Sequence, residues 1–84
     1  MAWQVSILPP AAKQLSKLDK SIAKRIAKTI SALAQNPRPA GCKKLVGVDA
    51  WRIRIGDWRV VYQIQDQRLI VLVIRIGHRR EVYE

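Results

Sequence analysis

Apolar and polar residues alternate with the two-residue period of β-strands along the second half of the chain. Residues 51–55 read Trp-Arg-Ile-Arg-Ile, so that the apolar side chains share one face of a strand while Arg52 and Arg54 share the other. A Gly-Asp pair follows as a turn signal, because glycine accepts a positive φ, and a second strand over residues 58–64 completes a hairpin. With that turn Arg59 lies opposite Arg54, and paired residues share a face. The pattern therefore predicts that the three arginines lie together on one side of a sheet.

The first half of the chain has helical periodicity. Residues 3–8 alternate well enough for a first strand, which a Pro-Pro pair ends, and residues 11–18 then form a short helical segment. Asp19 is the predicted N-cap of a second helix, and an Asn-Pro pair at positions 36 and 37 terminates it. The apolar stripe of this helix consists of residues at helical spacing, namely Ile22, Ile26, Ile30 and Leu33. The two segments are expected to form a helical hairpin that packs on the sheet.

A third apolar run, over residues 69–76, is apolar on both faces, as expected for a strand in the middle of a sheet. The predicted fold class is therefore α+β, with a helical hairpin packed on a small, mainly antiparallel sheet in the order β-α-α-β-β-β. We expect residues 1–84 to form a single domain, because a chain of this length is too short for two. The sheet residues expected to face the helices are Ile53, Ile55, Val60, Tyr62 and Val71.

Composition narrows the chemistry that the chain can perform. The chain carries 16 Lys and Arg residues against 6 Asp and Glu, for a net charge of +10. This balance favours nucleic acid or another polyanion as a partner, although an acidic protein would also satisfy it.

Cys42 is the single cysteine and His78 the single histidine, which excludes an intramolecular disulfide and a zinc site built from four Cys or His ligands. No metal and no cofactor are expected. No apolar stretch is long enough to span a bilayer, and we expect a soluble, cytoplasmic protein.

Basic side chains form the candidate binding surfaces. Like charges directly opposite each other in a sheet are destabilising, and a bound phosphate would offset the repulsion among the hairpin arginines. The alternative is a solvated face on which the arginine stems cover apolar neighbours. Lys20, Lys24 and Lys28 make an i, i+4 row on the outer side of the second helix, which is either a solvated face or a surface for RNA or an acidic partner. Lys43 and Lys44, which lead back into the sheet, are further expected RNA contacts.

Three segments of the second half, together with the order of the helices and strands, resemble the RelE/ParE toxin superfamily. The segments are Lys44-Leu45-x-Gly47, the hairpin from Trp51 to Tyr62, and Gly77-His78-Arg79-Arg80-Glu81-Val82-Tyr83. RelE toxins of this family are ribosome-dependent endoribonucleases that cut mRNA in the decoding site without a metal. The resemblance implies the same activity here, the ribosome and mRNA as targets, and a RelB-like antitoxin that neutralises the toxin in a hetero-oligomer.

The resemblance also assigns site residues. His78 falls where some members of the family carry a basic residue, and Arg80 is expected to contact RNA. The family's active-site positions are implied to be those of Arg52, Arg54, Arg59, Arg79 and Tyr83.

Metal-free RNA cleavage requires a set of groups of this kind. The 2′-OH attacks the adjacent phosphorus, so that a base must take its proton, cations must hold the charged phosphorane, and an acid must protonate the 5′-oxygen. Arginine suits the second task but is a poor base, and many relatives place lysine at one or both of the positions of Arg52 and Arg54. His78 is the expected titrating group if it points into the groove, with a simple turn residue as the alternative, and Glu81 is a second candidate base. Tyr83 is expected to orient the 2′-OH or stack on a base, or else to cover the core.

Two other functions remain open at this point. A ParE-type toxin resembles this fold but inhibits DNA gyrase by binding it and cleaves nothing. The segment that contains His78, Arg79 and Tyr83 favours an endoribonuclease toxin, since a toxin that binds gyrase does not need those groups. A basic RNA-binding module without catalysis would bind RNA with a steep salt dependence and leave it intact.

Overall fold

Two helices and five strands make up the part of the protein that the computed structural model describes, residues 3–78. In chain order they are β1 (Gln4–Ile7), α1 (Pro9–Ser16), α2 (Lys20–Ala32), β2 (Lys43–Lys44), β3 (Trp51–Ile55), β4 (Trp58–Gln65) and β5 (Ile70–His78). The strands form one sheet in the order β1-β5-β4-β3-β2, in which β1 runs parallel to β5 and the other neighbours are antiparallel. This arrangement confirms the predicted α+β class and adds the edge strand β2 to the predicted order. Neither helix of this region is long and apolar enough to cross a membrane.

Both helices lie close to where the sequence pattern predicts them. Helix α1 begins at Pro9, where the missing N–H of proline costs no hydrogen bond. Asp19 occupies the predicted N-cap of α2, although within the described part of the chain its side chain makes no capping hydrogen bond. Helix α2 ends at Ala32, before the predicted Asn-Pro pair, because the chain tightens into a turn in which the Leu33 N–H donates to the Ile30 carbonyl at 3.0 Å.

The hydrophobic core lies between α2 and one face of the sheet. Ile26 of α2 is fully buried, and the sheet side of the same cluster contains all five predicted residues, joined by Val73 and Ile76. The Tyr62 hydroxyl donates to the Pro37 carbonyl at 2.8 Å, which gives a partner to the polar group that this side chain brings into the core. Burial raises the pKa of Tyr62, and the neighbouring Cys42 raises it further.

A β-bulge interrupts the pairing of β4 with β5. Arg75 pairs with Val61, whereas the next residue of β4 pairs two positions earlier on β5, so that Ile74 is an extra residue. The insertion shifts the alternation by one position, which turns Arg75 away from the helices and keeps Ile76 in the core at 1% exposure. Next to the bulge, the Ile76 N–H donates to the side-chain oxygen of Gln14 at 2.8 Å. Helix α1 therefore fixes β5 at the point where its alternation changes.

Candidate nucleic-acid interface

The β3–β4 hairpin has the predicted register. Arg54 pairs with Arg59, and Arg52 pairs with Val61. Gly56 adopts a φ of 60° in the connecting turn, a conformation that glycine tolerates without strain. Because successive residues of a strand alternate between faces, these arginines lie on the face away from the described helices. The prediction that the three arginines share a face is confirmed.

The three arginines differ in their exposure to solvent. Arg54 is exposed, Arg59 is half-buried, and Arg52 is only 7% exposed. Val61, the ladder partner of Arg52, packs with Ala50 in a small second apolar cluster. Electrostatic interactions are stronger where the local dielectric is low. Arg52 is therefore a charge fixed close to the sheet, while the guanidinium of Arg54 is accessible to an incoming anion.

Two further cations extend this group across the sheet. Lys43 of β2 pairs with Arg52, and Arg75 of β5 pairs with Val61, so that these four residues form one row over four strands. Neighbouring strands lie about 4.8 Å apart, and the row therefore spans roughly 14 Å. Sequence reasoning missed Arg75, because the apolar residues 69–74 that precede it give no sign of a bulge. We call the surface formed by these side chains the cationic face; it consists of Lys43, Arg52, Arg54, Arg59 and Arg75.

His78 does not join the cationic face. It pairs with Trp58, and its ring meets the Trp58 indole edge-on, with ring centroids 5.4 Å apart and an angle of 85° between the planes. Trp58 packs against the core cluster on the helix side of the sheet. His78 is the expected titrating group on the condition that it points into the arginine groove, and this condition is not met. The physical reason is the bulge at Ile74, which exchanges the two faces for every residue that follows it on β5.

The structure does not bring the other predicted residues to this face. Lys44 pairs with Trp51, so that alternation places it on the opposite side of the sheet from Lys43. The exposed row of Lys20, Lys24 and Lys28 belongs to α2, on the helix side. Arg79, Arg80, Glu81 and Tyr83 fall outside the described residues. Across residues 3–78, no three His, Cys, Asp or Glu side chains are grouped so that they could hold a metal ion.

An ion pair holds a further arginine at the end of the sheet that is remote from the Gly-Asp turn. Arg38 donates hydrogen bonds of 3.1 and 2.9 Å to the Asp66 carboxylate, and its guanidinium lies 5.2 Å from the ring centroid of Trp51. The hydrogen-bonded Asp66 raises the pKa of Arg38, and the Arg38 guanidinium lowers the pKa of Asp66. Together with the bond from Tyr62 to Pro37, this pair ties the loop after α2 to the sheet. Arg38 therefore has a structural role.

Comparison with known sequences gives one consistent family. Residues 5–83 match the family model described as the ParE toxin of type II toxin–antitoxin systems. A putative RelE-like toxin protein of Escherichia coli is 33% identical over 81 residues, which cover 94% of this chain and 85% of that protein. The mRNA interferase toxin RelE of Escherichia coli strain K12 is 31% identical over 88 residues, which cover 99% of this chain and 92% of that toxin.

Solved structures show the same architecture. A chain of the archaeal RelE–RelB complex from Pyrococcus horikoshii has a TM-score of 0.85 and 26% identity, covering 98% of this chain and 100% of that one. A chain of the intact Escherichia coli RelBE toxin–antitoxin complex has a TM-score of 0.79 and 28% identity, covering 92% of this chain and 96% of that one. Two helices packed on a mixed sheet, together with these sequence matches, identify a toxin of a type II toxin–antitoxin system. The chain belongs to the RelE/ParE toxin family, and within it to the RelE type.

Proposed function

We propose that this toxin is a ribosome-dependent endoribonuclease that cleaves mRNA in the decoding site without a metal. The observation that carries the proposal is the pairing of Arg54 with Arg59 on the face away from the helices, next to the buried Arg52. Guanidinium groups held opposite each other repel, and an anion bound between them would turn that repulsion into attraction. The similar RelE of Escherichia coli is named an mRNA interferase, which points to an RNA phosphate as the anion.

The cationic face suits the charge that develops during cleavage. The 2′-oxygen bonds to the adjacent phosphorus, the bond from phosphorus to the 5′-oxygen breaks, and negative charge accumulates on the non-bridging oxygens in between. In our proposal Arg54 and Arg59 bind those oxygens, and Arg52 sets the position of the phosphate from beneath. Such pre-arranged donors contribute roughly 2.7–4 kcal/mol each where water is excluded. The family resemblance supplies Arg79 as a further cation.

Proton transfer in this proposal does not use His78, whose ring lies against Trp58 on the other side of the sheet. Arginine is in general a poor base. The proton of the 2′-OH therefore passes to another group or to water, and the leaving 5′-oxygen takes up a proton from another group or from water. Tyr83 is the titratable residue that the resemblance places in the site, where it orients the 2′-OH or stacks on a base.

A RelB-like antitoxin is the proposed protein partner. The similar toxins from Escherichia coli and Pyrococcus horikoshii are known in complexes with RelB. Acidic or amphipathic segments of the antitoxin would complement a chain of net charge +10. An antitoxin that covers the cationic face would prevent RNA from binding there. We propose that the two proteins form a hetero-oligomer in the cytoplasm, where mRNA and ribosomes are present.

Primer extension on mRNA from cells that express the chain tests the proposed activity. The wild type should give new ends within translated codons, and a transcript without its start codon should remain intact because cleavage depends on the ribosome. Arg54→Ala should remove the cuts. Arg68→Ala removes the same charge from the exposed turn between β4 and β5 and should leave them in place. Intact transcripts with folded wild-type protein would exclude the proposal.

Inhibition of DNA gyrase is the second candidate function, and the description of the matched family model as a ParE toxin is the observation that favours it. This function predicts intact transcripts, blocked replication and loss of supercoiling by purified gyrase in the presence of the chain. An assay of supercoiling beside the primer extension therefore separates the two functions. Cuts in mRNA with undisturbed gyrase would reject the second candidate.

A further inference from the structure

Arg75 has no part in the proposed cleavage step, yet the fold places it on the cationic face. It continues the row in which Lys43 pairs with Arg52 and Arg52 with Val61. The Arg75 side chain is exposed, whereas Arg52 in the same row is only 7% exposed. The β5 end of the row therefore carries a solvent-accessible charge beside the arginines of the hairpin.

The backbone around Arg75 is held in place. Ile76, the next residue, is 1% exposed, and its N–H is bonded to Gln14 of α1 at 2.8 Å. Two positions along β5 from Arg75, Gly77 pairs with Arg59 and brings no side chain to the cationic face. Residues two apart on a strand are separated by roughly 7 Å. Arg75 therefore lies at a fixed offset from Arg59, on the same side of the sheet.

We infer that Arg75 is an RNA-binding residue that contacts a backbone phosphate beside the scissile one and increases affinity without taking part in the chemical step. The inference rests on the proposed function for its choice of RNA as the ligand. The charge of a neighbouring phosphate does not change during cleavage, so a contact to it interacts about equally with the ground state and the transition state. Its effect should therefore appear in binding, through the release of counterions from the RNA.

Binding of a fluorescently labelled single-stranded RNA oligonucleotide, measured by anisotropy over a range of salt concentrations, tests the inference directly. Arg75→Ala should weaken binding roughly fivefold and reduce the slope of log K against log salt by about 0.7, the value for one phosphate contact on a single strand. Arg75→Lys keeps the charge and should restore most of the affinity. Arg68→Ala is the matched control. It removes an exposed arginine from the turn between β4 and β5 and changes the net charge by the same amount. An equal loss of affinity for Arg75→Ala and Arg68→Ala would overturn the inference.

Single-turnover cleavage on programmed ribosomes gives a second readout. Arg75→Ala should raise the toxin concentration needed for half-maximal rate and leave the rate at saturation unchanged. A fall in the saturating rate as large as that of Arg59→Ala would overturn the inference, because it would place Arg75 in the chemical step. If the wild type cleaves no mRNA, the proposed function fails, and the comparison of RNA affinities still decides the role of Arg75.

Discussion

The two faces of the sheet use the same strands for different tasks. Along β4, Val60 and Tyr62 are fully buried among the core residues, whereas Arg59, next to Val60, faces away from the helices opposite Arg54. One face is apolar and close-packed, and the other gathers cations that repel one another. Stability and binding are thus divided between neighbouring positions of the chain, so that single substitutions should affect one and spare the other.

The paired arginines of the cationic face lower the stability of the domain. A domain of this size buries only about 60% of the surface that its unfolded chain exposes, so its core is modest. Arg54 directly opposite Arg59 reduces the stability that this core supplies. Such an arrangement is expected where a bound anion adds negative charge to this face.

The largest expected effect on the helix-covered face comes from Ile26→Ala. Ile26 is fully buried between α2 and the sheet, and its truncation should lower the free energy of unfolding by about 2–5 kcal/mol because a cavity remains. Urea unfolding followed by circular dichroism measures it. Lys24→Ala, on the exposed side of the same helix, should change stability by less than about 0.5 kcal/mol. Equal stabilities for the two variants would contradict the assignment of this face as the core.

On the cationic face, Arg54→Ala should slow single-turnover cleavage by about a hundred- to a thousandfold, or roughly 2.7–4 kcal/mol in barrier. The fold should remain intact, since Arg54 is exposed and its removal relieves repulsion from Arg59. Lys24→Ala should instead affect ribosome binding and its salt dependence more than the rate at saturation. An unchanged rate for Arg54→Ala would remove this residue from the site.

The sequence pattern predicted the hairpin and its face of arginines because the turn signal and the alternation agree. It could not predict the bulge in β5, since every residue from Leu69 to Ile74 is apolar and either register would bury an apolar side chain. That one extra residue decides two features of the candidate site: it turns Arg75 onto the cationic face and His78 away from it. The candidate site was therefore predictable where polar and apolar residues alternate, and unpredictable where they do not.

Tyr62→Phe should produce a smaller loss of stability on the helix-covered face of the sheet. The variant loses the 2.8 Å hydrogen bond to Pro37 and should lose about 1 kcal/mol of stability, since a buried carbonyl is left without its donor. Burial raises the pKa of Tyr62 above the unfolded value of about 10. The stabilisation from the neutral hydroxyl is therefore complete below that unfolded pKa and is lost as the pH rises through the folded pKa. Urea unfolding at about pH 8 and pH 10.5 should show the advantage of the wild type shrinking at the higher pH, and a constant difference would contradict the assigned burial.

His78→Gln should have the smallest effect. Because the ring lies against Trp58 on the helix side, its replacement should leave both the cleavage rate and its pH profile unchanged. Single-turnover cleavage measured across pH checks this. A large loss of rate together with the disappearance of a step near neutral pH would restore His78 as the general base and contradict its placement.

The division between the two faces is tested most directly by a pair of adjacent variants, Arg59→Ala and Val60→Ala, each measured for urea unfolding and for single-turnover cleavage on programmed ribosomes. Arg59→Ala should lower the rate by about a hundred- to a thousandfold with little loss of stability. Val60→Ala should lower stability by roughly 1–3 kcal/mol and leave the rate per folded molecule unchanged. If Arg59→Ala cleaves as fast as the wild type, or loses activity only in proportion to its loss of folded protein, the cationic face is not the site of cleavage.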